Sequence, residues 1–363
     1  LFQVKSMTQI LNLSREAIAP VAPPACLIAE QAVTRLLDGH DLSRSESQTL
    51  FETIVEGRLD QPLMAAAFVA LRMRGETADE LIGAATALRS AARAFPSPED
   101  LFADSCGTGG DYSSSINVST AAAFVAAACG LPVIKHGNRS FTSRCGSADV
   151  LEALGARLDL SPLESREILD RTGFCFLLAP FYHPGIAHAG PVRRALKVRT
   201  IMNLLGPCLN PARPKVQLLG VAERRLLRPI AETLHALGVE RALVVHGSGL
   251  DEIALHGFTQ AIRLERGEYE ELEITPEQAG LRRMSAERIV GGTPAHNAQR
   301  LAILLSGGGR EADEAIVALN AGALLMTADV VSDLHQGVAM ALDSIRSGQA
   351  IAVLEAFVEA SRG

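Results

Sequence analysis

The chain has 363 residues, 48 % of them hydrophobic and 21 % charged, with a formal net charge of −7. That length exceeds the usual single core, so two domains, or one large domain with an appendage, are expected. The acidic balance opposes non-specific nucleic-acid binding, although a local basic pocket for an acidic substrate is compatible with it, and no charge-free apolar run is long enough to span a bilayer.

Residues 1–26 lack periodicity and read as an extension. Leu1-Phe2-Gln3 looks more like a cloning scar than a targeting signal. From Leu27 to about Ala94 the pattern is helical: Ser43-x-x-Glu46 and Thr77-x-x-Glu80 are capping boxes, Gly57 is a stop, and Asp60 before Pro62 is another start. Pro62 to Arg74 is apolar on nearly every face, which predicts burial against another domain or subunit. Pro96-Ser97-Pro98 marks a boundary, after which strands (103–106, 131–135, 174–179, 216–221 and 242–246) alternate with helices such as Pro162 to Thr172, opened by Ser161 and stopped by Gly173. Alternation of this kind implies a mostly parallel sheet covered on both faces, with ligands at the carboxyl ends of its strands. The charged stretch Glu265 to Ala279 reads as an antiparallel edge or an excursion from the sheet, and Asn320 to Arg346 as helix. The six cysteines, Cys26, Cys106, Cys129, Cys145, Cys175 and Cys208, form no CxxC pair. They read as reduced, mostly buried residues of a cytoplasmic protein, without zinc or disulfides.

Chemistry concentrates in a few stretches. Asp104 to Thr120, DSCGTGGDYSSSINVST, is a strand, a glycine loop and a helix start. Glycines admit close approach of the backbone, and the free N–H groups of a helix start favour an anion. Read alone, the loop fits a plain βα turn equally well. A second polar loop, Lys135 to Asp149, follows the next strand with three cations and four hydroxyls, and two such loops in succession suggest a polyanion, with Lys135 as a point charge. Asp251-Glu252 suits Mg²⁺, which takes oxygen ligands. Alone, such a pair fits a solvated turn better. Arg193, in Pro191-Val192-Arg193-Arg194, offers a fork that matches a planar carboxylate, against the plainer alternative of a surface ion pair. His183 and His188 have no Cys or carboxylate at ligand spacing and are not read as metal ligands.

GTGGD...NVST and KHGNRS...GSADVLEALG, continued by HPGIAHAGPVRRALKVRTIMNLLGPCLNPA and VVHGSGLDEIALHG, resemble the anthranilate phosphoribosyltransferases over roughly residues 27–360. These enzymes of tryptophan biosynthesis join anthranilate to phosphoribosyl pyrophosphate. The resemblance implies an α/β protein in which a small all-helical domain, 27–96 joined by helices from about 185–212, accompanies a large α/β domain with a mostly parallel central sheet, 97–363. It implies a homodimer, Mg²⁺ as two ions held by Ser119, Asp251 and Glu252, and anthranilate bound by Gly107, Asn138 and Arg193. Phosphoribosyl pyrophosphate falls to Gly107, Gly110, Asp111, Ser115, Asn117, Val118, Ser119 and Thr120 of the first loop. From the second come Lys135, His136, Gly137, Asn138, Arg139, Ser140, Phe141, Thr142, Ser143 and Ser147. His136 receives no general-base role, because the aromatic amine is already neutral near pH 7. Tyr112 and Cys145 depart from the family pattern, where glycine and serine are common. Two alternatives stand beside this one: a pyrimidine nucleoside phosphorylase, separable by its use of thymidine or uridine with phosphate, and a non-catalytic paralogue that binds nucleic acid through a basic groove.

Overall fold

The computed structural model describes residues 25–140 and 144–363. The expected contacts of Phe141, Thr142 and Ser143, and all but the last two residues of the 1–26 extension, lie outside them. Ala25 and Cys26 already belong to the first helix, Ala25–Leu37.

Three more helices, Arg44–Val55, Gln61–Arg74 and Ala78–Ser90, complete the N-terminal bundle. Ser43 and Thr77 each accept a hydrogen bond from the backbone N–H three residues on, and Glu46 and Glu80 reach back to the cap N–H, so both predicted capping boxes form. Gly57 adopts φ 70° just past the second helix, where a side chain would be strained.

Seven strands follow: β1 (Ala103–Gly107), β2 (Val133–Gly137), β3 (Phe174–Leu178), β4 (Val216–Gly220), β5 (Arg241–His246), β6 (Thr259–Glu265) and β7 (Glu268–Ile274). They lie in the order β3-β2-β1-β4-β5-β6-β7, with β1 to β5 parallel and β6 and β7 antiparallel. The charged antiparallel edge is present as β7, and it is preceded by a second antiparallel strand, β6, that starts at Thr259, before the charged stretch. The helix expected across Asn320 to Arg346 is two helices, Glu311–Thr327 and Leu334–Arg346, separated by a turn where Asp329 takes φ 57°. After β1 the chain winds to β2 and β3 on one side, then returns to build β4 and β5 on the other. The crevice at the carboxyl ends of β1 and β4 is thus the topological switch point, the usual ligand position on an open α/β sheet.

Strand alternation sends neighbouring side chains to opposite cores. Leu218, Leu243 and Val245 join the helices Val118–Ala128 and Glu311–Thr327 in one cluster. Leu219, Val221, Ala242 and Val244 join the N-terminal bundle in the other. The bundle, together with Val192, Ile201, Met202 and Leu205, therefore covers one face of the sheet. That accounts for the Gln61–Arg74 helix, which buries Met64, Ala67, Phe68 and Leu71. No described helix is long and apolar enough to cross a membrane.

Candidate functional site

At the switch point Gly107 of β1 stands opposite Gly220 of β4, and the N–H of Thr108 bonds the carbonyl of Gly220 at 2.9 Å. Both positions are cut back to admit the loop after β5. A Cβ on Gly107 would lie 2.3 Å from Asp251 Oδ2, and one on Gly220 1.6 Å from the Asp251 carbonyl oxygen. Seated there, Asp251 accepts a hydrogen bond from the Gly109 N–H at 2.7 Å, and Glu252 accepts one from the Ser119 N–H at 3.2 Å, at the start of the Val118–Ala128 helix. The structure thus brings together the glycine loop, Ser119 and the acid pair, which are separated by more than a hundred residues in sequence.

This corner holds more negative charge than it balances. Burial, reinforced by Asp111, pushes the Asp251 carboxyl up to about 7, and burial beside Asp251 drives Glu252 well above the usual carboxylate range. Its donors are all oxygens: two carboxylates and the Ser119 hydroxyl. Such a set fits a hard divalent cation, which would relieve the repulsion. Among the described residues no three His, Cys, Asp or Glu side chains converge as a ready-made cage, so substrate oxygens and water would complete the coordination.

Lys135 lies beneath the corner. It is 2 % exposed, and its ammonium donates to the Ser105 carbonyl and, at 3.2 Å, to Ser119 Oγ. Its position on β2 turns it inward, where its charge is felt by Asp104 and Glu252. Asp104 itself is buried, and burial raises it to about 6 against the pull of Lys135 and of Asn210, whose Nδ2 donates to Asp104 Oδ2 at 2.9 Å. Val118 and Thr120 are also buried, Val118 within the hydrophobic core, so their side chains are packed away from any ligand and only backbone groups at this helix start remain to meet one.

His136 is buried, and burial, with His183 edge-on at 5.1 Å between ring centroids, lowers it to about 3. It is a neutral imidazole, too weak a base to take a proton near pH 7. In the second loop, Asp149 Oδ2 accepts from the N–H groups of both Ser140 and Gly146 at 2.8 Å, closing the loop on itself. Asn138 is exposed at the mouth of β2, with Ser147 Oγ donating to its carbonyl at 3.4 Å. The guanidinium of Arg139 is turned to Glu152, with Nε to Oε2 at 3.1 Å. Arg193, on the Gly190–Leu196 helix, is half-buried, and burial lowers its pKa.

Several residues around the site carry no sequence signal of their role. Arg199 is 8 % exposed, and its Nη1 lies 3.4 Å from both the Gly110 carbonyl and Glu223 Oε1. A Cβ on Gly110 would meet Arg199 Cδ at 2.7 Å. Only the glycine at 110 hints at such a neighbour; Asn210 and Gly220 likewise act through contacts distant in sequence.

The family described as "Glycosyl transferase family, a/b domain" matches residues 99–351, and "Glycosyl transferase family, helical bundle domain" matches 30–92. An anthranilate phosphoribosyltransferase of Sorangium cellulosum is 52 % identical over 91 % of this chain and 95 % of its own. One of Pectobacterium atrosepticum is 51 % identical over 95 % and 96 %. Among solved structures, the Thermus thermophilus enzyme of that name superposes with a TM-score of 0.86 at 41 % identity, covering 92 % of this chain and 99 % of that one. The Saccharomyces cerevisiae enzyme in complex with phosphoribosyl pyrophosphate and Mg gives a TM-score of 0.85 at 26 % identity, covering 93 % and 98 %.

Proposed function

The chain belongs to the anthranilate phosphoribosyltransferase family, and from that premise we propose how its residues divide the reaction. The enzyme transfers the phosphoribosyl group of phosphoribosyl pyrophosphate to the amine of anthranilate, giving N-(5-phosphoribosyl)anthranilate and pyrophosphate in tryptophan biosynthesis, with Mg²⁺. This replaces the phosphorylase and nucleic-acid alternatives. In our reading the bond from the anomeric carbon to the pyrophosphate oxygen breaks with its electron pair leaving on pyrophosphate, and the amine nitrogen bonds that carbon and then loses a proton. Backbone N–H groups of Gly107 to Asp111 and of the Ser119 helix start, with Ser115, Asn117, Asn138 to Ser143 and Ser147, grip the phosphates and ribose. Two Mg²⁺ ions, held by Asp251, Glu252 and Ser119, supply charge neutralisation to the departing pyrophosphate. Lys135 supports Ser119 from below, and neutral His136 walls the pocket. Arg193 and Asn138 orient anthranilate by its carboxylate beside Gly107, so catalysis rests on positioning and electrostatics rather than on a protein base.

We further propose that residues 27–96, joined by about 185–212, act as one domain against 97–363. The chain works in the cytoplasm as a homodimer through the helical domain, where Leu27, Leu37 and Met73 are 43 %, 62 % and 83 % exposed.

The observation that carries the site assignment is the hydrogen-bonding of Asp251 and Glu252 to the Gly109 and Ser119 amides at the switch point. Anthranilate fluorescence tests the reading. It should decay when phosphoribosyl pyrophosphate and Mg²⁺ are both present and persist when chelator removes the ion; persistence with everything present would overturn it.

A further inference from the structure

Residues 288–300 lie outside every motif singled out in the sequence, yet they brace the approach to the first loop. Ile116 donates its N–H to the Ile289 carbonyl at 2.9 Å, Gly291 donates to the Ser114 carbonyl at 2.7 Å, and Ser115 pairs with Val290 as an antiparallel bridge. The brace is itself pinned. Arg300, 7 % exposed, donates to the carbonyls of Val290 at 2.6 Å and Arg288 at 2.7 Å, and forks onto Asp313 with two bonds of 2.6 Å.

One turn before Arg300 on the Pro294–Ile303 helix is Asn297, 3 % exposed. Its Oδ1 accepts the Gly292 N–H at 2.7 Å and its Nδ2 donates to Asn117 Oδ1 at 3.0 Å; Asn117 Nδ2 then donates to the Cys145 carbonyl at 3.2 Å. The direction of this chain is dictated from both ends. Gly292 supplies only a donor and Cys145 O only an acceptor, so each amide between them must present oxygen to one side and nitrogen to the other. Asn117 ends the first loop and Cys145 lies in the second, so one buried amide fixes the spacing between the two loops.

We infer that Asn297 is a positioning residue for phosphoribosyl pyrophosphate: acting through Asn117, it holds the two phosphate-facing loops at their working separation. The inference rests on the assignment of both loops to that substrate. A side chain with no substrate contact then weighs more on phosphoribosyl pyrophosphate, which both loops are assigned to grip, than on anthranilate, whose carboxylate is assigned to Arg193 on a different helix as well as to Asn138.

Steady-state kinetics on Asn297→Ala, Asn117→Ala and the double variant test it. Asn297→Ala should raise the KM for phosphoribosyl pyrophosphate roughly tenfold or more, the scale of one lost buried hydrogen bond and its stranded partner, with the anthranilate KM changed less than about threefold. The double variant should be little worse than the worse single variant, since both break one chain. Asn297→Asp keeps the fold's volume and the bond from Gly292 but cannot donate, so it should reproduce the selective KM rise if the alanine variant does not fold. Additive effects, equal loss for both substrates, or an unchanged KM in Asn297→Ala or Asn297→Asp would overturn the inference. If Asn117→Ala also bound phosphoribosyl pyrophosphate normally, the loop assignment itself would fall; if Asn117→Ala alone were impaired, only the role of Asn297 would.

Discussion

Two buried charged clusters, Arg300–Asp313 and Asp251–Glu252, stand on the same domain and behave as opposites. In the first, a guanidinium meets a carboxylate through two bonds of 2.6 Å and gives its remaining donors to carbonyls, so the charges are matched and hydrogen-bonded within the fold. In the second, two carboxylates share a corner with Asp111 nearby, and burial raises both. The matched cluster is part of the scaffold. The mismatched one is incomplete until something positive arrives, and the sheet is notched to keep it in place. Buried charge by itself therefore says little about function; the residual imbalance says more.

The sharpest way to break this comparison is to mutate both clusters. Asp251→Ala or Glu252→Ala should cost on the order of a hundredfold or more in kcat/KM while leaving the urea midpoint unchanged or raised. Arg300→Met should strand Asp313 and destabilise the fold by about 3–5 kcal/mol. Comparable stability losses in the two sets, read from urea titrations, would erase the distinction.

Arg193 asks whether imbalance also marks a cation, since burial lowers its pKa. Arg193→Lys keeps the charge but loses the rigid fork, so anthranilate recognition should weaken by about 1.5–3 kcal/mol, on the order of tenfold to a hundredfold. Phosphoribosyl pyrophosphate KM, measured in the same assay, should hardly move.

A gentler perturbation is pH. The folded-state pKa of Asp251 is raised from 3.8 to about 7, so folding takes up protons and the metal-free protein is favoured at low pH, losing that contribution as pH rises from about 4 to about 7. On the proposed assignment Mg²⁺ takes the deprotonated pair, so the rise in melting temperature on adding Mg²⁺ should be larger at pH 8 than at pH 5.5. An equal rise at both, or one surviving in Asp251→Asn, would dissociate the ion from this corner.

The smallest effect is expected at Gly109. A Cβ there meets nothing within 4 Å, but φ is +67°. Gly109→Ala should cost about 1 kcal/mol of backbone strain and less than tenfold in phosphoribosyl pyrophosphate KM, whereas Gly110→Ala, pressing on Arg199, should be worse in the same titration.

Much of this was legible in the chain itself, for local reasons. Capping boxes at Ser43 and Thr77 announce helices with residues three apart, and the largely apolar runs of β3, β4 and β5 announce buried strands. Asp251, Glu252 and Ser119 were found through motif resemblance, and their meeting is seen only in three dimensions. The burial of Lys135 beside Ser105 and Ser119 is likewise seen only in the fold, because strand alternation turns it inward. β6 is hard to read because Thr259-Gln260-Ala261-Ile262-Arg263 mixes polar and apolar residues although β5 and β7 pair with it on both sides. Asn297 and Arg199 were silent because their partners, Asn117 and Gly110, lie 180 and 89 residues away.

The paired glycines at 107 and 220 have a consequence for how such an enzyme can change. A metal loop carried on a flexible lid can drift, be lengthened and be tuned by many small substitutions. Here the main chain of Asp251 rests in a groove with no clearance, between strands whose register is fixed by the hydrophobic cores on both sides. The place of Asp251 is set by the sheet, and a side chain at Gly220 would displace it as surely as a change of Asp251 itself. The geometry therefore constrains substitution at a position that carries no side-chain chemistry of its own.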